Sequence, residues 1–359
     1  MKLLVTGGAG FIGANFVNYW MRLHPDDSMV VLDAMTYAGD LNRLKGVRRN
    51  KNFKFIKGDI QDAVLLKKIM KGIDTVVHFA AESHVDRSLA GLEAEKLFLR
   101  TNVEGTIALL HASRAAGVTR FHHISTDEVF GDLEYGSAEK FHENFPYGPH
   151  NPYAISKAAA DFAVRGFARS YNFPVTISNC TNNYGPWQTP EKVIPRSISL
   201  LLQNKQIQLY TDAAGIPGPN IRDWLHVEDH CSAIEAIILK GKIGQTYCIG
   251  GESELSNCEL VKRILVLMSK ITGRPYAYNT HVVEVKDRPG HDKRYAMDIS
   301  KIRRTLKWKP KYSFDKGFRS TVEWYLSAEG CAWLKSLEKS TVEVRTGQNK
   351  TTITAKPKQ

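Results

Sequence analysis

Two short groups of residues could do chemistry. Tyr153 and Lys157 stand four apart at the start of a stretch, Pro152 to Tyr171, that reads as a helix. That spacing puts both on one face, one turn apart. A lysine cation beside a phenol stabilises the phenolate, so the tyrosine can serve as a base nearer neutral pH. Ser125-Thr126-Asp127-Glu128 follows an apolar run, Arg120 to Ser125, that reads as a strand. Two adjacent carboxyls at the mouth of a sheet can sit in different environments, one protonated and one ionised, which supplies the acid and the base of an elimination. The competing readings are an amphipathic surface helix for the first group and a helix N-cap with solvated acids for the second, since Ser, Thr and Asp cap well. Spacing alone leaves the Asp127-Glu128 choice open.

The element that must position these groups is at the N-terminus. Leu3 to Val5 reads as a buried strand, Gly7, Gly10 and Gly13 follow as G-x-x-G-x-x-G, and Ala14 to Trp20 reads as a helix with an apolar stripe. A strand turning tightly into a helix presents free backbone N–H groups and the positive end of the helix dipole to an anion. Glycines let the backbone approach a pyrophosphate. A glycine triplet alone is weak. Here Met29 to Asp33 gives a second strand ending in an acid, 20 residues past Gly13, where a carboxylate takes the ribose hydroxyls. That acid disfavours a 2′-phosphate, so the coenzyme is expected to be NAD rather than NADP. Placed after such a dinucleotide turn, Tyr153-Lys157 reads more strongly as a catalytic pair.

Strand-like and helix-like segments alternate onward: Phe53–Ile56, helix Ala63–Met70, strand Thr75–Phe79, helix Asn102–Ala116, strand Arg120–Ser125, helix Pro152–Tyr171 and strand Val175–Ser178. This is the rhythm of an α/β, Rossmann-like, doubly wound parallel sheet, whose ligands bind beyond the carboxyl ends of the strands. The segments after Val5, Leu32, Ile56, Phe79, Ser125 and Ser178 should converge on one crevice. From about 185 onward Gly and Pro become frequent, as in Gly185-Pro186, Ile216-Pro217-Gly218-Pro219 and Asp287-Arg288-Pro289-Gly290. We expect an NAD-binding domain over 1–184, with some later segments returning to it, and a smaller mixed α/β substrate lobe over 185–330. Arg222–Leu239 and Cys258–Thr272 read as mainly helical. Residues 340–359 are polar and basic and read as a disordered tail.

A chain of 359 residues, 43% hydrophobic, can bury a large core with a lobe beside it. The net charge of +12 favours anionic partners, but no RNA-binding or helix-turn-helix pattern occurs, so nucleic acid is not expected and a nucleotide-linked substrate is. The five cysteines are odd in number and form no C-x-x-C, which argues against a disulfide framework or a metal site. No signal peptide and no apolar run near the roughly 20 residues of a membrane span are read, so a cytoplasmic protein is expected.

The motifs together resemble the extended short-chain dehydrogenases/reductases, and within their NAD-dependent epimerase/dehydratase branch the dTDP-glucose 4,6-dehydratase family. The resemblance covers about residues 1 to 325. It is carried by Gly7 to Gly13, Thr36-Tyr37-Ala38-Gly39, Ala80-Ala81-Glu82-Ser83-His84-Val85-Asp86-Arg87-Ser88, Ser125-Thr126-Asp127-Glu128-Val129, and Tyr153-x-x-x-Lys157. It continues through Asn182-Asn183-Tyr184-Gly185-Pro186, Glu191-Lys192-Val193-Ile194-Pro195, Arg222-Asp223-Trp224, and Asp287-Arg288-Pro289-Gly290-His291-Asp292. The glycine turn and the Tyr/Lys pair mark the superfamily; the Ala-Glu-Ser-His, Thr-Asp-Glu and Asp-Arg-Pro-Gly-His-Asp stretches are far more specific.

The resemblance implies that Tyr153, supported by Lys157 and Thr126, takes the proton of the sugar C4 hydroxyl, Glu128 that at C5, and that Asp127 protonates the departing C6 hydroxyl. It implies NAD contacts from Gly7, Gly10, Phe11, Ile12, Gly13, Asp33, Ala34, Met35, Thr36, Asp59, Ile60, Phe79, Ala80, Ala81, Ser83, Thr101, Tyr153, Lys157 and Asn183. For the nucleotide sugar it implies Ser83, Thr126, Asn182, Lys192, Val193, Gln208, Leu209, Tyr210, Arg222, Asn257, Asp287, Arg288 and His291, the cations suiting a diphosphate. No metal is implied, and a homodimer through two helices per subunit, one of them the Tyr153 helix, is. His84 and His123 read as packed or hydrogen-bonded side chains. Three positions depart from the family pattern. Phe130 replaces Tyr, Asp40 replaces Asn, and Tyr210 to Ile221 replaces a shorter Gly-Asp-Gly turn. The last leaves the nucleobase open, so UDP-glucose or another nucleotide hexose is an alternative substrate. A nucleotide-sugar 4-epimerase, or a non-catalytic NAD-binding sensor, are the alternative functions.

Overall fold

The computed structural model describes residues 1–288, 290–338, 341–346 and 349–354. Its strands are β1 (Lys2–Thr6), β2 (Ser28–Asp33), β3 (Phe53–Lys57), β4 (Thr75–His78), β5 (Arg120–Thr126), β6 (Val175–Cys180) and β7 (Asn182–Tyr184). They continue as β8 (Ile207–Thr211), β9 (Ile221–His226), β10 (Thr246–Ile249), β11 (Glu254–Ser256), β12 (Val282–Lys286), β13 (Thr341–Thr346) and β14 (Asn349–Thr354). The main sheet has seven strands in the order β10-β6-β5-β4-β1-β2-β3, and all its pairings are parallel.

Helices cover both faces, which is why the central strands are buried almost throughout rather than on alternate residues. On one face Phe16, Val17 and Trp20 of the Phe11–Leu23 helix and Cys231, Ile234 and Ile238 of the Val227–Lys240 helix pack on Leu3, Val5, Met29 and Val31. On the other, Leu66, Leu109, Leu110, Val164 and Phe167 pack on Leu4, Leu32, Val76 and Phe121. Each such side chain contributes about 1.5–3 kcal/mol on burial. The reversal of strand order falls between β1 and β4, so the ends of both open into one crevice.

A second core, with Ile194, Ile198, Leu201, Leu260, Ile264 and Met268, holds the later elements. Around it lie a β11-β9-β7 sheet and a parallel β12-β8 pair. These short strands were not read from the sequence. The expected Arg222–Leu239 helix starts only at Val227. Residues 221–226 form a buried strand that pairs with β7 and β11, and the His226 ring accepts the N–H of Glu228 to start the helix. The expected Asn102–Ala116 helix is also longer. Leu92–Leu99 leads through a π-helical turn at Arg100–Glu104 into Gly105–Ala115, with no Pro to stop it. Gly105 packs tightly there: a Cβ would lie 2.6 Å from Cδ1 of Ile60, whose side chain would have to shift.

In the expected tail, β13 and β14 pair as an antiparallel hairpin, and residues 340, 347–348 and 355–359 lie outside the described residues. The disorder expected from polarity overlooked the β-branched content of Thr341-Val342 and Thr351-Thr352-Ile353-Thr354, which favours strands. Among the described residues no helix is long and apolar enough to cross a membrane.

Candidate active site

The glycine turn forms as its residue types require. Gly7 sits at φ +69°, and a Cβ on it would come within 2.6 Å of the Ala80 amide nitrogen. A Cβ on Gly13 would collide with the Gly7 carbonyl oxygen. Gly10 is the N-cap of the Phe11–Leu23 helix and offers no capping side chain, so the first-turn N–H groups remain for a ligand. At the end of β2, Asp33 accepts the amide of Ala9 on Oδ2 (2.9 Å) and that of Met35 on Oδ1 (2.7 Å).

These residues border a crevice of about 350 Å³ along the carboxyl ends of the strands. Its walls include Gly7, Gly10, Phe11, Ile12, Gly13, Asp33, Ala34, Thr36, Asp59, Ile60, Phe79, Ala80, Ala81, Ser83, Thr101 and Asn183, all of them expected coenzyme residues. Met35 is the exception. It takes φ +57° and turns away from the lining while its N–H holds Asp33. A glycine cradle with no room for a Cβ, a bare helix start and a carboxylate at the ribose end fit NAD.

The reacting end is built by the Pro152–Tyr171 helix. Asn151 caps it by accepting the Ala154 amide (2.9 Å), and the same side chain donates through Nδ2 to Glu128 Oε2 (3.3 Å). One residue, absent from the sequence reading, therefore places both the Tyr153 helix and Glu128. Tyr153 is buried, its ring edge-on to Phe98 at 6.3 Å. The Thr126 hydroxyl lies near enough to favour its phenolate. That hydroxyl also donates to Asp127 Oδ1 (3.0 Å) and accepts the Glu128 amide (3.3 Å). Tyr153, Lys157, Thr126, Asp127 and Glu128 all line the crevice. Asp127 Oδ2 is buried without a hydrogen-bond partner among the described residues.

The two carboxyls differ as an acid and a base must. Burial, and then the neighbouring Glu128 charge, hold Asp127 well above the ordinary carboxylate range. Burial also raises Glu128, but Lys192 and the Asn151 hydrogen bond pull it back. Tyr153 is raised well above an ordinary phenol by burial first and by Glu128 second, with the Thr126 bond opposing. The expected direct pairing of Lys157 with the phenol is not what the ammonium does. Its Nζ donates to the Ile124 carbonyl (2.7 Å) and lies 3.5 Å from His123 Nε2. Burial lowers Lys157 to about 8, with the Asp161 carboxylate acting against it. His123 is packed 3.2 Å from Asp161 and lowered to about 4 by burial, in keeping with a structural histidine; His84 is half-buried, and burial lowers it too.

Of the expected substrate residues, Ser83, Thr126, Asn182 and Lys192 line the crevice. A second group adjoins it. Arg288 pairs with Asp86, His291 Nδ1 lies 2.8 Å from Asp287 Oδ1, and the Tyr210 ring is edge-on to His291 at 5.9 Å. Lys192 and Arg288 are both close enough to Glu128 to favour its charge. Arg222 is buried, donates to the Asp292 carbonyl (2.8 Å), lies over Tyr295 and bears on Asp127. Asn257 opens the Asn257–Thr272 helix, its N–H on the Asn220 carbonyl.

Three expected residues point elsewhere. Leu209 is buried in the second core, Val193 packs against that core, and Gln208 is exposed and accepts from Arg196 at 2.9 Å. The period-two alternation of β8 sends Leu209 inward and Gln208 outward. Asp132, His150 and Asp292 also cluster with potential metal-ligand atoms within 4.8 Å, but His150 and Tyr295 already hydrogen-bond Asp292. Arg43, Gln188 and Thr189 line the crevice without having been read as site residues, because nothing in their local spacing marks them.

The family model described as GDP-mannose 4,6 dehydratase matches residues 4–321. A dTDP-glucose 4,6-dehydratase of Mycobacterium tuberculosis is 47% identical over 342 residues, 95% of this chain and 97% of the relative. One of Shigella flexneri is 42% identical over 97% of this chain and 99% of the relative. Among solved structures, the Streptomyces venezuelae dTDP-glucose 4,6-dehydratase DesIV, with NAD bound, superposes with a TM-score of 0.86 at 43% identity, covering 94% of this chain and 99% of that one. The UDP-glucuronic acid 4-epimerase of Bacillus cereus, also with NAD, reaches 0.80 at 26% identity over 90% and 98%. With its glycine-lined crevice, its Tyr153/Lys157 helix and its paired acids, the chain belongs to the nucleotide-sugar 4,6-dehydratase family, among the dTDP-glucose 4,6-dehydratases.

Proposed function

We propose that the chain is an NAD-dependent hydro-lyase that converts dTDP-glucose to dTDP-4-keto-6-deoxyglucose with loss of water. The observation that carries this is the pair Asp127 and Glu128: adjacent acids in the crevice of Tyr153, with environments that hold one protonated and leave the other nearer ionisation. An epimerase needs the Tyr/Lys pair but not these acids.

In this reading Tyr153, as its phenolate, accepts the C4 hydroxyl proton, with the Thr126 hydroxyl beside it and the Lys157 cation one helical turn away to favour that charge. NAD held against the Gly7–Gly13 turn and Asp33 would supply hydride-transfer chemistry at the sugar. Glu128 removes the C5 proton that the C4 ketone acidifies. Asp127 donates its proton to the C6 hydroxyl, which leaves as water, and C5 is reprotonated at the end. Lys192, Arg288 and His291 serve the diphosphate side, and Ser83 and Asn182 the sugar. Over a turnover Tyr153 gains a proton and Asp127 gives one up, and transfer between them resets the site; the hydride moves within the substrate–coenzyme pair, so no external reductant is consumed.

The homodimer fits exposed apolar side chains on two helices, Ile107 on one and Ile155 and Phe162 (58% exposed) on the Tyr153 helix. Five free cysteines, none paired, suit a reducing cytoplasm. The test is a panel of dTDP-, UDP-, GDP- and CDP-glucose without added reductant, read by the absorbance of the 4-keto product in base. The dTDP sugar should give it. A 4-keto product from another nucleotide alone would move the base specificity; no such product from any of the four overturns the dehydratase.

A further inference from the structure

The helix Ala328–Glu338 lies beyond the matched 4–321 segment, yet it packs on Asp40 and on Arg43, a residue of the crevice wall. Trp333 on it is buried, and its indole Nε1 donates to Asp40 Oδ2 at 2.8 Å. Asp40 ends the loop 34–40, which leaves β2 at Asp33 and lines the crevice through Ala34, Thr36, Ala38 and Gly39, next to the Asp33 carboxylate expected at the adenosine ribose. The other carboxylate oxygen, Oδ1, accepts the Asn42 amide at 2.9 Å and so caps the short helix Leu41–Leu44. The Asp40 amide in turn donates to the Ala9 carbonyl within the glycine turn at 2.9 Å.

Arg43 joins these parts. It is 3% exposed and lines the crevice. Its Nη1 donates to the carbonyls of Ala9 (3.0 Å) and Ala38 (2.5 Å), and its Nε to that of Trp187 (3.0 Å). Its guanidinium lies 5.3 Å from the Trp333 ring centroid. A second tie runs alongside, the ion pair of Lys45 with Glu329.

We propose that Trp333 is a positioning residue for the coenzyme: with Asp40 and Arg43 it straps the adenosine-side loop to the C-terminal helix and so slows NAD release. The inference rests on the reading of the crevice as an NAD site. An enzyme that regenerates its NAD within each turnover gains from holding it, and a loop with two hydrogen-bonded ends pays less ordering entropy when NAD binds. The chemistry of Asp40 is specific to the strap. A carboxylate has two acceptor oxygens and takes both N–H groups at once. An Asn, the residue expected there from the family pattern, has one acceptor; serving the Asn42 cap, it would turn its NH₂ toward the indole N–H.

Asp40→Asn and Trp333→Phe isolate the bond, because the first keeps a cap acceptor and the second keeps an aromatic ring. NAD carried per chain after gel filtration, and the NAD dissociation constant of stripped protein, are measured for the wild type, both variants and the double variant. The expected result is affinity roughly tenfold weaker in each single variant, about one charge-assisted hydrogen bond. The double variant should be no weaker than the worse single one, since both remove the same bond. The apparent KM for added NAD should rise more than kcat falls. NAD affinity within twofold of wild type in both single variants, with coenzyme-free melting temperatures unchanged, overturns the strap while leaving the NAD site standing. A wild-type chain that binds no NAD overturns both.

Discussion

Glu128→Gln is the perturbation that separates dehydration from every other use of this crevice. Gln has the size of Glu, and its amide oxygen can still accept from Asn151 Nδ2, now 3.3 Å from Oε2, so the local packing survives. What is lost is the base for the C5 proton. A positioned general base is worth about 10²–10⁴ in rate, or roughly 2.7–5.5 kcal/mol of barrier. The structure points to the upper part of that range. The Glu128 charge is the second influence, after burial, that raises both Asp127 and Tyr153, so removing it also makes Asp127 a readier donor of its resting proton to water. The assay is steady-state formation of the base-absorbing 4-keto product, together with incorporation of solvent deuterium at C5. Both should fall by at least a hundredfold while NAD content and melting temperature hold, since a buried like charge has been deleted rather than a contact. A kcat within tenfold of wild type, with intact NAD binding, would refute the assignment of Glu128; retained C4 epimer formation in the same variant would replace dehydration by epimerisation.

Three further outcomes follow from the same geometry. Asp127 has a folded-state pKa above its unfolded one, so its contribution to stability is full at low pH and is lost as pH rises through the folded value. Asp127→Asn, neutral throughout, should therefore melt above wild type at pH 8, with the gap closing toward about pH 4, while dehydration collapses; calorimetry across that range checks it. Gly13→Ala drives a methyl into the Gly7 carbonyl, a backbone atom that cannot yield cheaply, and should cost roughly 1–3 kcal/mol of stability and most of the NAD affinity, measured by melting and titration. Phe162→Glu places a charge in the exposed apolar face of the Tyr153 helix and should shift sedimentation from dimer to monomer; an unchanged dimer would move the interface elsewhere.

The coenzyme half of the site was readable because it is local. The glycine turn, the strand before it, the helix after it and Asp33 lie within one βαβ unit, and the backbone demands of Gly7 and Gly13 are visible as residue types. Tyr153 and Lys157 were readable as a helical pair, but the direction of the Lys157 ammonium was not, because the carbonyl that takes it belongs to β5. The substrate half came through worst. β8 was missed as a strand, so the inward turn of Leu209 could not be foreseen, and β9 was hidden in a run of polar residues, Arg222-Asp223, that tertiary partners bury. Asn151 before Pro152 carries the local mark of a helix N-cap, but its tie to Glu128, like that of Arg43 to Trp187, depends on partners far along the chain.

The adjacency of Asp127 and Glu128 is itself the device that makes them unequal. They open a 3₁₀ turn, Asp127–Phe130, in which successive side chains leave about 120° apart. One step along the backbone thus carries a carboxyl from the Thr126 side, where burial and a neighbouring charge favour its protonated form, to the side of Asn151, Lys192 and Arg288, where donors and cations oppose the effect of burial. Neither environment needs a separate loop. The scaffold around the turn is common to 4-epimerases that superpose with a TM-score of 0.80 at 26% identity, so fold alone does not select the reaction. The choice between returning hydride to C4 and first expelling the C6 hydroxyl then rests on whether this one turn presents an acid and a base to the hexose, and it can be altered without disturbing the coenzyme half of the crevice.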